Sequence, residues 1–117
     1  MNLANYYRLT YDPFNFDEEV LKHVKVQYKR YFFDGVQFKV CFDNDYVLSI
    51  INFDGSYGHE EGLYEVALMD KNFSLIFNEM FWEPIGYCNL TDINNIAKLV
   101  IEKKFDKSYK VECFKED

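Results

Sequence analysis

Apolar and polar residues alternate with a period of two over 24–29 and again over 36–42, as in strands with one buried face. Asp34-Gly35 separates the two runs, and this dipeptide between alternating segments is a strong hairpin signal. A second turn fits 43–45, where Asp and Asn residues cluster. The next segment, 46–53, is apolar on both faces, which predicts a central strand covered on both sides or meeting a partner.

A stretch rich in glycine and charge, Asp54 to Glu65, follows the third predicted strand and is called the glycine-rich loop below. An apolar run over 63–69 comes next, and a turn at 70–72 separates it from another run over 73–77. Both runs have strand character, so the sequence predicts four to five antiparallel strands in meander order. Loops placed between strands often carry recognition or chemistry.

Helical periodicity appears near the C-terminus, after an irregular aromatic connection. Five apolar residues recur at helical spacing between Ile93 and Ile101, and Thr91 is predicted as the N-cap. Gly86 to Asp92 is interpreted as a turn leading into this helix. The helix is predicted to pack on one face of the sheet, and 109–113 alternates like a last edge strand.

These elements predict an α+β fold: an antiparallel meander sheet of four to five strands, one C-terminal amphipathic helix packed on a face, and an irregular aromatic N-terminal arm. The whole chain, 1–117, is predicted to be a single domain. Within it, the arm covers 1–23 with a short helix after Asp17, the sheet 24–78, the connection and helix 79–105, and an edge strand and tail 106–117.

Aromatic residues make up 20% of the chain, with 12 Phe, 10 Tyr and one Trp. This share exceeds what a core of this size requires, so several rings are expected at the surface, where aromatic residues often mark contacts. The candidates flank or belong to the glycine-rich loop: Tyr57, Tyr64, Phe81, Trp82 and Tyr87.

Cys41, Cys88 and Cys113 are odd in number and widely spaced, without a CxxC pair, which fits free thiols in a reducing compartment. The N-terminus lacks a basic region followed by an apolar run, so no signal peptide is expected. The apolar runs are far shorter than the roughly 20 residues that span a bilayer. A cytoplasmic protein without membrane contact is therefore expected.

The net charge of −7 comes entirely from the middle of the chain. Eight acids and one base, Lys39, lie between Asp34 and Asp70, whereas the remainder carries twelve of each. Direct nucleic-acid binding normally needs the opposite sign. A negative field instead suits a basic partner surface, such as one that binds nucleic acid and is occupied by a DNA mimic. The alternative is that acidity only keeps an aromatic-rich domain soluble.

No catalytic, cofactor or metal site is predicted. Cys88 with His59 could form a nucleophile–base pair, but nothing in their spacing brings them together. Asp54, His59, Glu60 and Glu61 could bind a divalent cation, yet the segment does not match a calcium-loop template. The glycines lack the Lys-Ser or Lys-Thr of a phosphate-binding loop and are interpreted as turn formers.

The run Gly55-Ser-Tyr-Gly-His-Glu-Glu-Gly-Leu-Tyr-Glu-Val-Ala-Leu68, followed by Ile85-Gly-Tyr and Leu90-Thr-Asp before a helix, resembles small uncharacterised phage and prophage proteins. Those pair a SYGxEEGLYEVA loop-strand with a GYLT-type turn before the last helix. The likeness covers roughly Gly55 to Ile101 and departs from the pattern at His59 and at Cys88-Asn89. It implies a phage or mobile-element accessory protein and brings no catalytic residues. Among such proteins, small acidic inhibitors of host defence nucleases, including anti-CRISPR proteins, are a familiar functional class. The step from this class to the present chain is an analogy.

The sequence thus predicts a non-enzymatic inhibitor, without a cofactor, that binds a basic host defence protein such as a CRISPR nuclease. The alternatives are a binder of a small molecule or nucleotide signal, with a cavity beside Tyr57, a homodimeric interaction module, and a weak hydrolase centred on His59. The residues predicted to contact the partner are Asp43, Asp45, Asp54, Tyr57, Glu60, Glu61, Tyr64 and Glu65.

Overall fold

A computed structural model describes residues 8–9, 14–32 and 34–114, and within these residues six strands form one sheet. The strands are hydrogen-bonded in chain order, and every neighbouring pair is antiparallel. Their bounds are β1 (Arg8–Leu9), β2 (Val24–Phe32), β3 (Gly35–Phe42), β4 (Val47–Asn52), β5 (Tyr64–Met69) and β6 (Ile85–Cys88). The predicted antiparallel meander is confirmed. Apart from β1, the first thirteen residues of the predicted arm lie outside the described residues.

Two α-helices accompany the sheet in the described residues, α1 (Glu18–Leu21) and α2 (Leu90–Ile101). The apolar stripe of α2 and one face of the sheet are buried in a single core, which confirms the predicted α+β packing. Each fully buried aliphatic side chain contributes about 1.5–3 kcal/mol. The residues at the centre of this core are Val40, Phe42, Leu48, Ile50, Val66, Leu68, Ile93, Ile96, Ala97 and Val100.

The opposite face of the sheet is also covered at its centre, as the apolar run over 46–53, now β4, predicts. Gln37, Lys39 and Ser49 are buried there, and the Gln37 Nε2 group donates to Ser49 Oγ at 2.8 Å. The Lys39 ammonium lies 4.2 Å from the centroid of the Phe73 ring, in cation–π geometry. The connection after β5 therefore folds back over this second face.

The predicted strand at 73–77 is wrong. The segment is a turn and an irregular stretch, with a single bridge between Met69 and Leu75. The Asp70 carboxylate accepts hydrogen bonds from the backbone N–H groups of Asn72, at 2.8 Å, and Ser74, at 3.0 Å. This local capture of amides competes with a strand ladder.

The predicted turn before the last helix is also corrected. Ile85 to Cys88 form β6, which pairs with β5, and α2 begins at Leu90. The N-cap is Asn89 rather than Thr91. The Asn89 side chain accepts from the Asp92 N–H at 2.8 Å, while the Asp92 carboxylate accepts from the Asn89 N–H at 3.0 Å. This reciprocal capping box satisfies two donors at the helix start, which Thr91 would not.

The predicted edge strand at 109–113 is absent, because this part of the chain runs irregularly and ends in a 3₁₀ turn, Glu112–Phe114. The Glu112 N–H donates to Asp92 Oδ1 at 2.9 Å instead of to a strand. None of the helices in the described part of the chain is long and apolar enough to cross a membrane.

Candidate functional site: an aromatic groove beside the edge strand

A groove of about 480 Å³ lies beside β6 and is called the aromatic groove below. This volume falls in the range of about 300–1,000 Å³ typical of ligand sites. Met80 and Val111 in its lining are buried, whereas Trp82 (64% exposed), Tyr57 (59%) and Phe114 (58%) are open to solvent. The remaining lining residues are Glu83, Pro84, Ile85, Gly86, Tyr87, Ser108, Tyr109 and Lys110.

The first wall of the groove depends on a close approach between the glycine-rich loop and β6. A Cβ atom at Gly86 would lie 2.4 Å from the Cβ of Tyr57, a separation that real side chains do not tolerate. The Tyr87 N–H also donates to the Tyr57 carbonyl at 3.2 Å. Glycine at position 86 therefore lets the loop lie directly on the strand and fixes Tyr57 at the groove.

A β-bulge orients Tyr87. Between the pairs Tyr64–Cys88 and Val66–Ile85, two residues of β6 oppose the single residue Glu65 of β5. Tyr87 has a φ of 58°, in the left-handed region that non-glycine residues rarely adopt. Its ring stacks on Tyr57 with centroids 6.3 Å apart and an interplanar angle of 28°. Bulges of this kind re-aim side chains next to functional sites.

The second wall is the C-terminal segment 108–114, and Asp92 holds it in place. The fully buried Asp92 carboxylate accepts from the Tyr109 hydroxyl and from the Glu112 N–H, both at 2.9 Å on Oδ1. At the end of the segment, the Phe114 ring meets the Tyr87 ring edge-on with centroids 5.3 Å apart. One side chain in the first turn of α2 therefore anchors the groove wall.

The charged residues in the lining of the groove are Glu83 and Lys110, and a second acid, Glu65, lies close to Glu83. Glu83 lines it directly, and the half-buried Glu65 carboxylate accepts a hydrogen bond from the Tyr57 backbone N–H. Burial raises the pKa of Glu65 above its ordinary value, and the nearby Glu83 carboxylate raises it further. Lys110 is the one basic residue in the described lining.

The structure separates the predicted contact residues into two groups. Asp54, Glu60 and Glu61 are exposed in the same loop as Tyr57, at the groove end of the sheet. Asp43 and Asp45 lie in the turn between β3 and β4, at the opposite end of a six-residue strand that rises about 20 Å. The predicted acidic field is therefore not one continuous surface.

Asp43 and Asp45 also have local partners. The Lys25 ammonium donates to Asp45 at 2.9 Å, and this hydrogen bond lowers the pKa of Asp45. Nδ1 of His23 lies 2.9 Å from the Asp43 carboxylate. The charge of Asp45 is consequently offset by Lys25.

Tyr64 does not present its ring as a surface anchor. It is half-buried against the core, and its ring meets Phe14 edge-on with centroids 5.7 Å apart. Phe81, another ring considered for an interface, is fully buried. Tyr57 and Trp82 remain the exposed aromatic side chains of that set.

His59 does have a carboxylate neighbour. Its Nε2 atom lies 3.4 Å from Asp34 Oδ2, and its Nδ1 atom lies 2.7 Å from Asn52 Oδ1. Ligand atoms of Asp34, Asp54 and His59 come within 4.8 Å of one another, so these three residues could hold a divalent cation. The two carboxylates are exposed, and the same contacts suit a His–Asp ion pair.

Neither the Ser56 hydroxyl nor the Cys88 thiol is available to this histidine as a nucleophile. Ser56 is buried, and its hydroxyl donates to the Phe53 carbonyl at 2.8 Å. The Cys88 thiol is fully buried and contacts the Ile85 carbonyl at 3.4 Å. Burial raises the pKa of Cys88 far above its ordinary value, so the thiolate needed for attack is suppressed.

This arrangement predicts a fixed order of cysteine reactivity toward a disulfide reagent. Cys113 is exposed and should react first, and Cys41 should follow slowly because it is half-buried and burial raises its pKa. Cys88 should react only when the protein is unfolded in urea. The measurement is thiol release over time, with Cys113→Ser removing the fast phase. A rapid phase that persists in that variant and disappears in Cys88→Ser would contradict the assignment.

Sequence reasoning found Tyr57, Trp82 and Tyr87 but missed the wall formed by 108–114. The alternation at Tyr109, Val111 and Cys113 favoured a strand, and no local pattern showed that Asp92 captures the Glu112 N–H. The sequence signal that could have indicated this wall is the presence of two aromatic residues, Tyr109 and Phe114, in an otherwise polar segment.

No protein-family model, no curated protein and no solved structure matches the chain. The resemblance to phage and prophage proteins stays a prediction.

Proposed function

We propose that the protein is a non-catalytic binding module that engages a basic protein partner. The contact surface is the end of the sheet that carries the aromatic groove and the exposed acids of the glycine-rich loop. The observation that carries this proposal is the exposure of Trp82 and Tyr57 along one groove, together with the exposed Glu60 and Glu61 in the same loop as Tyr57. Aromatic anchors surrounded by a polar rim are the usual anatomy of a protein interface.

The inhibitor of a host defence protein that the sequence predicts is a specific case of this function, in which the basic partner is the defence protein. Acids of the loop would steer a basic, nucleic-acid-binding surface toward the groove, and the exposed rings would anchor it. Asp43 and Asp45 have no part in this surface because they lie at the other end of the sheet.

The test begins with capture of partners from a bacterial lysate and continues with affinities for the purified partner. Trp82→Ala should weaken binding by at least about tenfold, because truncated hot-spot aromatics cost about 2 kcal/mol or more. The double variant Glu60→Lys/Glu61→Lys should also weaken it, and the wild-type affinity should fall steeply with salt.

The matched control reverses the same number of charges at the far end of the sheet, in Asp43→Lys/Asp45→Lys, and should leave the affinity nearly unchanged. Equal losses in the two double variants would mean that the binding surface is not the groove end. An affinity unaffected by Trp82→Ala would exclude the groove itself.

A small-molecule or nucleotide-signal binder is the second candidate, because the volume of the groove suits such a ligand and the groove lies beside Tyr57. It requires a ligand-dependent rise in melting temperature that Trp82→Ala abolishes. A panel of nucleotides and small metabolites measured by thermal shift decides between the two candidates.

A further inference from the structure

The chemistry of the aromatic groove favours one class of ligand group. Five aromatic rings line it, from Tyr57, Trp82, Tyr87, Tyr109 and Phe114. The faces of such rings carry negative partial charge and attract a cation within about 6 Å of the ring centroid. The stacked pair Tyr57–Tyr87 and the exposed Trp82 supply flat surfaces suited to a flat group.

The carboxylates at the groove add to this preference. Glu83 lines the groove and Glu65 lies behind Tyr57, and neither forms an ion pair with any other described residue. Glu83 lies close enough to Glu65 to contribute to the raised pKa of Glu65, after the larger effect of burial. A positive ligand group between the rings would relieve this repulsion, whereas an anion would increase it. Lys110 also lines the groove and opposes a cation, whereas Glu83 in the lining and the neighbouring Glu65 favour one.

We infer that the aromatic groove binds an arginine side chain of the partner, with the guanidinium stacked on the rings and facing Glu83. The planar guanidinium stacks on aromatic faces, pairs with a carboxylate and loses less hydration than an ammonium. This inference rests on the proposed function and specifies which partner group enters the groove.

Trp82 is the only tryptophan in the chain, so its fluorescence reports on the groove directly. The probes are the capped tripeptide acetyl-Gly-Arg-Gly-amide and the same peptide with citrulline, which is neutral and nearly isosteric. The arginine peptide should change the fluorescence saturably, and the citrulline peptide should bind at least about fivefold more weakly. Both titrations are run at one fixed, low ionic strength.

Two variants are expected to change the affinity for the arginine peptide in opposite directions. Glu83→Gln should weaken the arginine peptide by about fivefold, and Lys110→Gln should strengthen it by about threefold, because each changes one nearby charge. Glu18→Gln on α1 makes the same charge change away from the groove and should have no effect.

The inference is overturned if citrulline binds as tightly as arginine. It is also overturned if Glu83→Gln strengthens binding and Lys110→Gln weakens it, since that pattern belongs to an anionic ligand. If neither peptide binds while Trp82→Ala still abolishes partner binding, this inference fails and the proposed function stands. If Trp82→Ala also leaves partner binding unchanged, both fail.

Discussion

Replacing Asp92 by alanine should destabilise the protein by about 4 kcal/mol, because three buried or half-buried donors lose their acceptor. These donors are the N–H groups of Asn89 and Glu112 and the hydroxyl of Tyr109. The melting temperature should fall by roughly 15 °C. Urea unfolding followed by circular dichroism measures the loss. Asp106→Ala, which removes an exposed acid, should change stability by less than about 0.5 kcal/mol.

The Tyr109–Asp92 contact also has a pH signature. Burial, together with the hydrogen bond to the Asp92 carboxylate, raises the pKa of Tyr109 to about 12 from an ordinary value of 10.0. The folded protein therefore holds this proton more tightly than the unfolded chain does. The resulting stabilisation is complete below pH 10 and is lost as the pH rises from about 10 toward about 12. Tyr109→Phe should lack this component when urea midpoints are compared across that range.

For the Asp92→Ala variant, a loss of stability below about 1 kcal/mol would show that the C-terminal segment is held by other contacts.

Replacing Gly86 by alanine should destabilise the protein by about 2–3 kcal/mol and weaken ligand or partner binding by more than about tenfold. The new Cβ atom would lie 2.4 Å from the Tyr57 Cβ, so the loop must leave the strand and the groove loses a wall. Urea unfolding measures the first effect, and Trp82 fluorescence titration measures the second. Gly55→Ala is the control from the same loop. Gly55 has a φ of 94° and open space around it, so alanine there should cost only about 1–2 kcal/mol of backbone strain and leave binding intact.

A double-mutant cycle isolates the contact between the two residues. In a Tyr57→Gly background the clashing Cβ atom is gone, so the additional cost of Gly86→Ala should shrink to below about 1 kcal/mol. An undiminished cost in that background would place the strain somewhere other than the loop–strand contact.

The parts of the fold that a local pattern determines could be predicted from the sequence. Strands β2 and β3 follow the period of two, β4 and β5 follow apolar runs bounded by turns, and α2 follows the helical stripe that it buries against the sheet. The segments 73–77 and 109–113 show the same alternation but form no strand. In each segment an aspartate carboxylate accepts a hydrogen bond from a backbone N–H group that a strand would use for pairing. Asp70 binds the N–H groups of Asn72 and Ser74, and Asp92 binds that of Glu112. A contact over 20 residues, such as the last one, leaves no periodic signal in the sequence.

The candidate site also has features that the sequence could predict and features that depend on tertiary structure. Tyr57 and Trp82 could be selected as exposed aromatics from composition and position in the chain. That the acids Asp43 and Asp45 lie at the opposite end of the sheet from Glu60 and Glu61 follows only from strand direction. The role of Gly86 is also tertiary, since a Cβ atom there would be acceptable in an ordinary strand and is excluded only by Tyr57.

The docking of 108–114 onto Asp92 has a consequence for the order of folding. Strands paired in chain order need only short loops to close, so the hairpins of the meander should form early. The aromatic groove draws its walls from positions 57, 80–87 and 108–114, and it closes only when the end of the described chain has returned to α2. Completion of the aromatic groove is therefore expected to be a late step in folding. A partner would meet this surface only on molecules whose core is already complete.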